Sequence, residues 1–179
     1  MKTFCVLPWI HLSSRPNGAI RLCSTSNASS SYSGDAEIGI LKDDDGAKAN
    51  FGERDIYSCW NSEYMRSVRR MMLNNQIPEP CIKCFEEEKA GHISKRKWET
   101  EYWKLRIDID ELIENTNDDG SIPNKIQYLD LRFGSKCDLK CIMCTPHDST
   151  MWIGDWAKLY PQIKNKSLKL LINNYLKRL

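Results

Sequence analysis

Eight cysteines constrain this chain of 179 residues more than any other feature of its sequence. Five of them fall into two tight groups, and the full set is Cys5, Cys23, Cys59, Cys81, Cys84, Cys137, Cys141 and Cys144. Cysteines so close along a chain rarely bridge each other except in redox motifs, although an even count does not exclude disulfides. The grouping therefore favours metal binding over a disulfide framework.

The remaining composition favours a globular protein from a reducing compartment. The apolar stretch from Phe4 to Leu12 is interrupted by Pro8 and His11, and no small-residue cleavage site follows it, so it does not predict a signal peptide. No run approaches the roughly 20 apolar residues that a membrane span needs. A net charge of +2 does not favour nucleic acid or an acidic membrane as a partner. We expect a cytoplasmic protein without a membrane partner.

Three cysteines have the spacing C-x3-C-x2-C, at Cys137, Cys141 and Cys144. They directly follow a predicted strand over 126–133 and precede a predicted helix. Three thiolates on such a loop can bind three irons of a cuboidal [4Fe–4S] cluster. The fourth iron then has no protein ligand, and an open coordination position is what a catalytic metal site requires. A zinc site is the alternative, with His147 as a nearby fourth ligand, and unliganded thiols are another.

This strand, loop and helix resemble the radical S-adenosylmethionine (SAM) superfamily. The resemblance implies that SAM chelates the open iron, and that an electron from the reduced cluster cleaves SAM to give a 5′-deoxyadenosyl radical that abstracts hydrogen. It also implies an electron donor such as flavodoxin or ferredoxin, and a (β/α)6 partial barrel as the core. The family usually has an aromatic residue near the adenine where this chain has Met143, which can fill the space but cannot stack.

The remaining cysteines predict a second site. Cys5 and Cys23 enclose a predicted hairpin with the pattern C-x12-G-x4-C, whose glycine is Gly18. Cys81 and Cys84 form a C-x2-C pair at the start of a predicted helix, where unpaired N–H groups favour thiolates. Four thiolates satisfy either one [4Fe–4S] cluster or one tetrahedral zinc ion. Cys59 has no obvious partner, and we expect it to be a small buried hydrophobe.

This second set resembles the Twitch and SPASM auxiliary-cluster domains of radical SAM enzymes, the shorter Twitch form fitting better. Further matches are the pair Pro8-Trp9 and, after the last cysteine pair, Glu88, Gly91, Ser94 and Arg96. The combination is similar to a group of radical SAM proteins, often phage-encoded, in which the auxiliary part precedes the core. The resemblance spans about residues 4–160 and implies a second [4Fe–4S] cluster. Zinc held by the same four thiolates remains an alternative, because metal binding stabilises small domains equally well.

The pattern of turns and apolar residues predicts an α+β fold in two parts. Residues 1–120 are expected to form an auxiliary domain built from a β-hairpin and helices, and residues 121–179 the first strand, cluster loop and helices of an incomplete barrel. The first part is predicted to contain a hairpin over 4–23 and mostly loop over 24–55. Helices follow over 61–75, capped by Asn61, and over 82–90 and 94–104, split by Gly91, with a further helix near 109–113. The second part is predicted to contain a strand over 126–133, a helix capped by Ser149 and a last helix over about 165–178.

The number of residues after the predicted strand limits the functional conclusion. About 55 residues follow Ile126, whereas six barrel units need roughly 190 by proportion. We therefore expect the N-terminal part of a longer enzyme or a truncated gene product. One hypothesis is a radical SAM oxidoreductase acting on a peptide or another large substrate. The alternative is a metal-binding module without turnover of its own, and a weaker one is a zinc-stabilised interaction domain. The sequence indicates no catalytic side chain beyond the cluster ligands.

Overall fold

The structure is a computed structural model that describes residues 1–26, 38–53, 55–123, 125–164 and 166–177. Its α-helices are α1 (Leu7–Ile10), α2 (Ile56–Trp60), α3 (Glu63–Leu73), α4 (Ile82–Lys89), α5 (Lys95–Lys104), α6 (Ile109–Glu114), α7 (Ile153–Lys158) and α8 (Lys166–Leu176). Its strands are β1 (His11–Ser14), β2 (Ile20–Arg21) and β3 (Tyr128–Asp130), and single 3-10 turns cover Glu79–Cys81, Thr150–Trp152 and Tyr160–Gln162. The predicted α+β class is confirmed.

The predicted N-terminal hairpin is present but shorter than expected. Strands β1 and β2 pair antiparallel across a turn in which the Gly18 N–H donates to the Arg15 carbonyl at 2.9 Å. Gly18 has a φ of +88°, and a Cβ there would lie 2.2 Å from the Asn50 side chain, so the turn requires glycine. The hairpin begins at His11 because Leu7–Ile10 is helical, with Pro8 in the first turn where proline is tolerated.

Strand β3 adds to this hairpin as a parallel neighbour, giving the order β2-β1-β3. His11 is paired with Tyr128 and Ser13 with Asp130. Only three residues of the predicted strand over 126–133 are in the strand. The side chains of Leu129 and Phe133 on its alternating face are 47% and 93% exposed. Within the described residues the sheet has three strands, and the incomplete barrel remains a prediction.

Helix α3 has the amphipathic character that its sequence predicts, and Met65, Val68 and Met72 are buried in the core. The prediction that Asn61 caps this helix is wrong, because the N-cap is Ser62. The Asn61 amide instead bonds the backbone of Ile122, donating to its carbonyl at 2.7 Å and accepting from its N–H at 3.1 Å. These bonds join the turn between α2 and α3 to the segment that leads into β3.

The two helices predicted over 82–90 and 94–104 are confirmed as α4 and α5. Gly91 lies between them with a φ of +84°, a left-handed conformation that favours glycine. Ser94 caps α5 and accepts from the Lys97 N–H at 3.2 Å. Of the predicted loop over 24–55, residues 27–37 and 54 lie outside the described residues.

Buried apolar side chains form two clusters. The larger cluster contains buried side chains from the part of the chain between Phe4 and Met72, together with Ile122. The smaller cluster consists of Ile153, Ile163, Leu168 and Ile172. Ile126 and Tyr128 pack against the larger cluster. The division at residue 120 into two domains remains a prediction. None of the helices in the described residues is long and apolar enough to cross a membrane.

Candidate metal centres

The structure brings four of the predicted ligands together at one cavity. Cys5, Cys23, Cys81 and Cys84 all line one small cavity of about 20 Å³. Antiparallel pairing explains the first two, because Cys5 precedes β1 and Cys23 follows β2 at the same end of the hairpin. Cys81 ends a 3-10 turn and Cys84 lies in the first turn of α4, which places both sulfurs beside the hairpin. None of the eight cysteines forms a disulfide.

Hydrogen-bond donors contact three of these four sulfurs. The backbone N–H groups of Leu7 and Arg96 donate to the thiols of Cys5 and Cys84, respectively. The Thr25 hydroxyl lies 3.4 Å from the Cys23 sulfur and also bonds Cys84. Donors of this kind favour the thiolate over the thiol.

Burial has the opposite effect on these thiols. Desolvation, followed by the charge of Cys23, raises the pKa of Cys5 and of Cys81 well above the ordinary cysteine value, and the Arg96 charge lowers both pKa values only slightly. Burial likewise raises the pKa of Cys84. Four thiolates gathered at this site therefore need a cation to balance them, and a bound metal would supply that charge by displacing the protons.

The three-cysteine loop follows β3 as predicted and is fixed at both ends. The Thr150 N–H donates to the Ser135 carbonyl at 2.8 Å, and the Ser149 hydroxyl donates to the Leu139 carbonyl at 2.8 Å. The Trp152 indole N–H donates to the Cys141 carbonyl at 3.1 Å. The predicted capping role of Ser149 is confirmed, since its side chain also accepts from the Met151 N–H.

The sulfurs of this loop lie near each other and open to solvent. Cys137 and Cys141 are exposed, and Cys144 is half-buried. The pKa of Cys144 is raised, first by desolvation and then by the nearby charges of Cys141, Asp148 and Cys137. The apolar neighbours Ile142 and Met143 are 96% and 83% exposed. Met143, predicted to lie near the adenine, therefore stands at the surface of the described structure.

Within the described residues, no group of three or more Cys, His, Asp and Glu side chains is arranged to hold a single metal ion. His147, the alternative fourth ligand of the loop, belongs to no such group. Its Nε2 is buried without a hydrogen-bond partner in the described part of the chain, and its backbone N–H donates to the Thr145 hydroxyl at 3.3 Å. Burial lowers the pKa of this imidazole.

Two residues at the four-cysteine cavity have roles that sequence patterns did not assign. Thr25 contacts two sulfurs, and the only sequence signal is its position two residues after Cys23. Arg96 belongs to the motif that follows the last cysteine pair, which assigns it no role, and the structure places it in the cavity wall. Cys59 is buried in the larger core with 0% exposure, as expected for a small hydrophobe.

Comparison with known proteins finds no family model that matches this chain, and no curated protein or solved structure with significant similarity to it. The resemblance to radical SAM and Twitch proteins therefore rests on the cysteine motifs and their neighbours.

Proposed function

We propose that this chain is a radical SAM iron–sulfur protein with an auxiliary cluster, acting on a peptide or another large substrate. Cys137, Cys141 and Cys144 would hold the SAM-binding [4Fe–4S] cluster. Cys5, Cys23, Cys81 and Cys84 would hold the second cluster. Bound there, the first cluster and SAM supply reductive cleavage to a 5′-deoxyadenosyl radical for hydrogen abstraction, with flavodoxin or ferredoxin as the electron donor.

The observation that carries the proposal is the combination of two cysteine sites in one chain. The three loop cysteines follow a strand, lie near one another and are open to solvent on one side. That arrangement suits a cluster whose remaining iron binds a small molecule, because a closed shell of protein ligands would exclude it. Four of the other five cysteines line a common cavity, as a cluster with complete protein ligation requires.

Four thiolates suit either one iron–sulfur cluster or one zinc ion. The resemblance to Twitch domains favours a cluster at the four-cysteine site, and reconstitution distinguishes the two metals.

The residues around the loop would orient its ligands. Trp152 and Ser149 bond the carbonyls of Cys141 and Leu139, and so fix the backbone on which the thiolates stand. Lys140 forms an ion pair with Asp155 at 2.6 Å, which ties the loop to α7.

A second function, a metal-binding module without turnover of its own, is favoured by the exposure of the loop. Cys137, Cys141 and Met143 are exposed, so the described residues provide ligands but few walls for SAM. Such a module would bind clusters and release no 5′-deoxyadenosine.

Anaerobic reconstitution with iron and sulfide tests both functions. We expect two clusters per chain, with an EPR signal that changes on addition of SAM. That change should disappear in Cys141→Ala and persist in Cys84→Ala, with Cys59→Ala as the matched control. Colourless protein that holds zinc at both sites would contradict the proposal. Clusters without 5′-deoxyadenosine under a strong reductant would favour the module.

A further inference from the structure

Arg96 lies beside the four-cysteine cavity, in the first turn of α5, and its side chain is only 11% exposed. It is the one arginine that lines this cavity among the described residues. A guanidinium has five donors in a planar fork, and this one is surrounded by acceptors from two different parts of the chain.

One set of acceptors belongs to the N-terminal segment. The Arg96 Nη1 donates to the Phe4 carbonyl at 2.8 Å and to the Lys2 carbonyl at 3.2 Å. Phe4 directly precedes Cys5. The segment from Met1 to Cys5 lies in no helix or strand, so its backbone has no secondary structure to hold it. The hydrogen bonds from Arg96 fix this segment instead.

The other set of acceptors belongs to α4, which carries Cys84. Both carboxylate oxygens of Glu88 accept from Arg96, the Nε contact being 3.0 Å, and the Ser94 hydroxyl donates to the same carboxylate at 2.5 Å. The guanidinium also stacks 4.5 Å from the centre of the Phe85 ring. Finally, the backbone N–H of Arg96 donates to the Cys84 sulfur.

The charge of Arg96 is less important than its shape. Glu88 neutralises it at close range, and its effect on the pKa of Cys5 and Cys81 is smaller than the effects of burial and of the neighbouring cysteines. Within the described residues, no other side chain hydrogen-bonds both α4 and the N-terminal segment, as this planar fork does. Lys97 also contacts Glu88, at 3.7 Å, but is 55% exposed, and no described hydrogen bond joins its side chain to the N-terminal segment.

We propose that Arg96 is a positioning residue of the four-cysteine site, which binds Glu88 on one side and the Phe4 and Lys2 carbonyls on the other and thereby holds Cys5 against Cys81 and Cys84. The inference rests on the proposed function, since it concerns how the auxiliary metal is held. Without the fork, Cys5 separates first, and the metal keeps the thiolates of the other three cysteines.

The test uses the full chain with the three loop cysteines replaced by alanine, so that only the four-cysteine site binds metal. After reconstitution with iron and sulfide, the rate of iron transfer to a chelator is measured. We expect Arg96→Gln to raise this rate 10- to 100-fold, the usual loss when an outer hydrogen-bond partner is removed. Arg96→Lys should behave like Arg96→Gln because lysine lacks the fork, and the matched control Lys97→Gln should stay within about twofold of the parent.

Alkylation of the metal-loaded variants distinguishes positioning from a general loss of structure. We expect Cys5 to become reactive in Arg96→Gln and Arg96→Lys while Cys81 and Cys84 stay protected. Simultaneous exposure of all the site cysteines would overturn the proposal, as would a parental release rate in Arg96→Gln. A parental rate in Arg96→Lys alone would show that charge is what matters, and would overturn it too.

A second variant keeps the inference testable if Arg96→Gln does not fold. Glu88→Gln keeps the size of the side chain and removes its charge, and we expect roughly tenfold faster release with the same reactivity of Cys5. A parental rate there would overturn the proposal. A parent that takes up no metal would overturn the proposed function as well, whereas a metal-loaded parent with unaffected variants overturns this inference alone.

Discussion

The two cysteine sites differ mainly in what surrounds them. The four-cysteine site lies against the larger core, with Cys5, Cys23 and Cys84 buried and backbone N–H groups directed at the sulfurs. The three-cysteine loop lies at the surface, with Cys137 and Cys141 exposed. An enclosed site contributes to the stability of the fold that forms it, whereas an open loop offers ligands and contributes little. Under the proposed function, this contrast suits an auxiliary role for the first site and a substrate-facing role for the second.

The largest expected difference is in stability. In reconstituted protein, Cys84→Ala should lower the free energy of unfolding by on the order of 5 kcal/mol, because one thiolate of an enclosed metal site is lost. For a chain of this size that lowers Tm by roughly 10–20 °C, measured by circular dichroism. Cys141→Ala should lower Tm by less than about 3 °C, since its side chain is exposed. Metal-free protein is the control, in which the difference should mostly disappear. Equal decreases in Tm for metal-loaded Cys84→Ala and Cys141→Ala would show that the two sites contribute equally to stability.

The next effect concerns Arg69, a fully buried cation that holds the enclosed region together. Its guanidinium donates to the carbonyls of Pro8, Trp60 and Gly120 at 2.9, 2.7 and 3.2 Å. Arg69→Met leaves these carbonyls without a hydrogen-bond donor. We expect it to lower the free energy of unfolding, measured by urea denaturation, by roughly 3–5 kcal/mol. The neighbouring Arg70→Met is the control and should cost less than about 1 kcal/mol, because that side chain is 34% exposed.

The junction between the two regions should be sensitive to pH. His11 lies in β1 with 0% exposure, and burial lowers its pKa to about 4, partly opposed by the Tyr128 carbonyl 3.1 Å from Nδ1. The unfolded chain takes up this proton near pH 6.5, whereas the folded chain resists it down to about pH 4. Stability therefore falls as the pH decreases through this window, by on the order of 3 kcal/mol at its lower end.

Urea denaturation from pH 7 to pH 4 checks this expectation. Because metal binding also varies with pH, the parent is compared with His11→Gln. Between pH 7 and pH 4, the free energy of unfolding of His11→Gln should fall less than that of the parent, by on the order of 3 kcal/mol. His92→Gln, an exposed histidine, is the matched control and should follow the parent. An unchanged pH dependence in His11→Gln would show that His11 is not held neutral in the fold.

The smallest effect is the most direct measure of exposure. In metal-free protein, Cys137 and Cys141 should react with iodoacetamide roughly 100-fold faster than Cys5 and Cys59, as followed by mass spectrometry. The reason is access, together with the burial that raises the pKa of Cys5 and so removes its reactive thiolate form. Similar rates at all four cysteines would mean that the four-cysteine site is not enclosed without metal.

Local patterns predicted much of the secondary structure. The turn at Gly18, the amphipathic helix α3, the break at Gly91 and the cap at Ser149 each depend on residues close in the chain. The predictions that failed depended on distant contacts. Asn61 matches a capping residue in type, but it bonds Ile122, which lies 61 positions away. The expected hairpin over 4–23 begins later because Leu7–Ile10 forms a buried helical turn.

The sequence by itself determined which cysteines group together, since spacing along the chain sets what a loop or a helix turn can present to one metal. Only the tertiary structure decided that the hairpin cysteines meet Cys81 and Cys84 at one cavity. It also decided that β3 pairs with β1, and that the three-cysteine loop stays at the surface. The physical reason is that burial and the meeting of distant segments depend on packing of the whole chain, which local spacing does not encode.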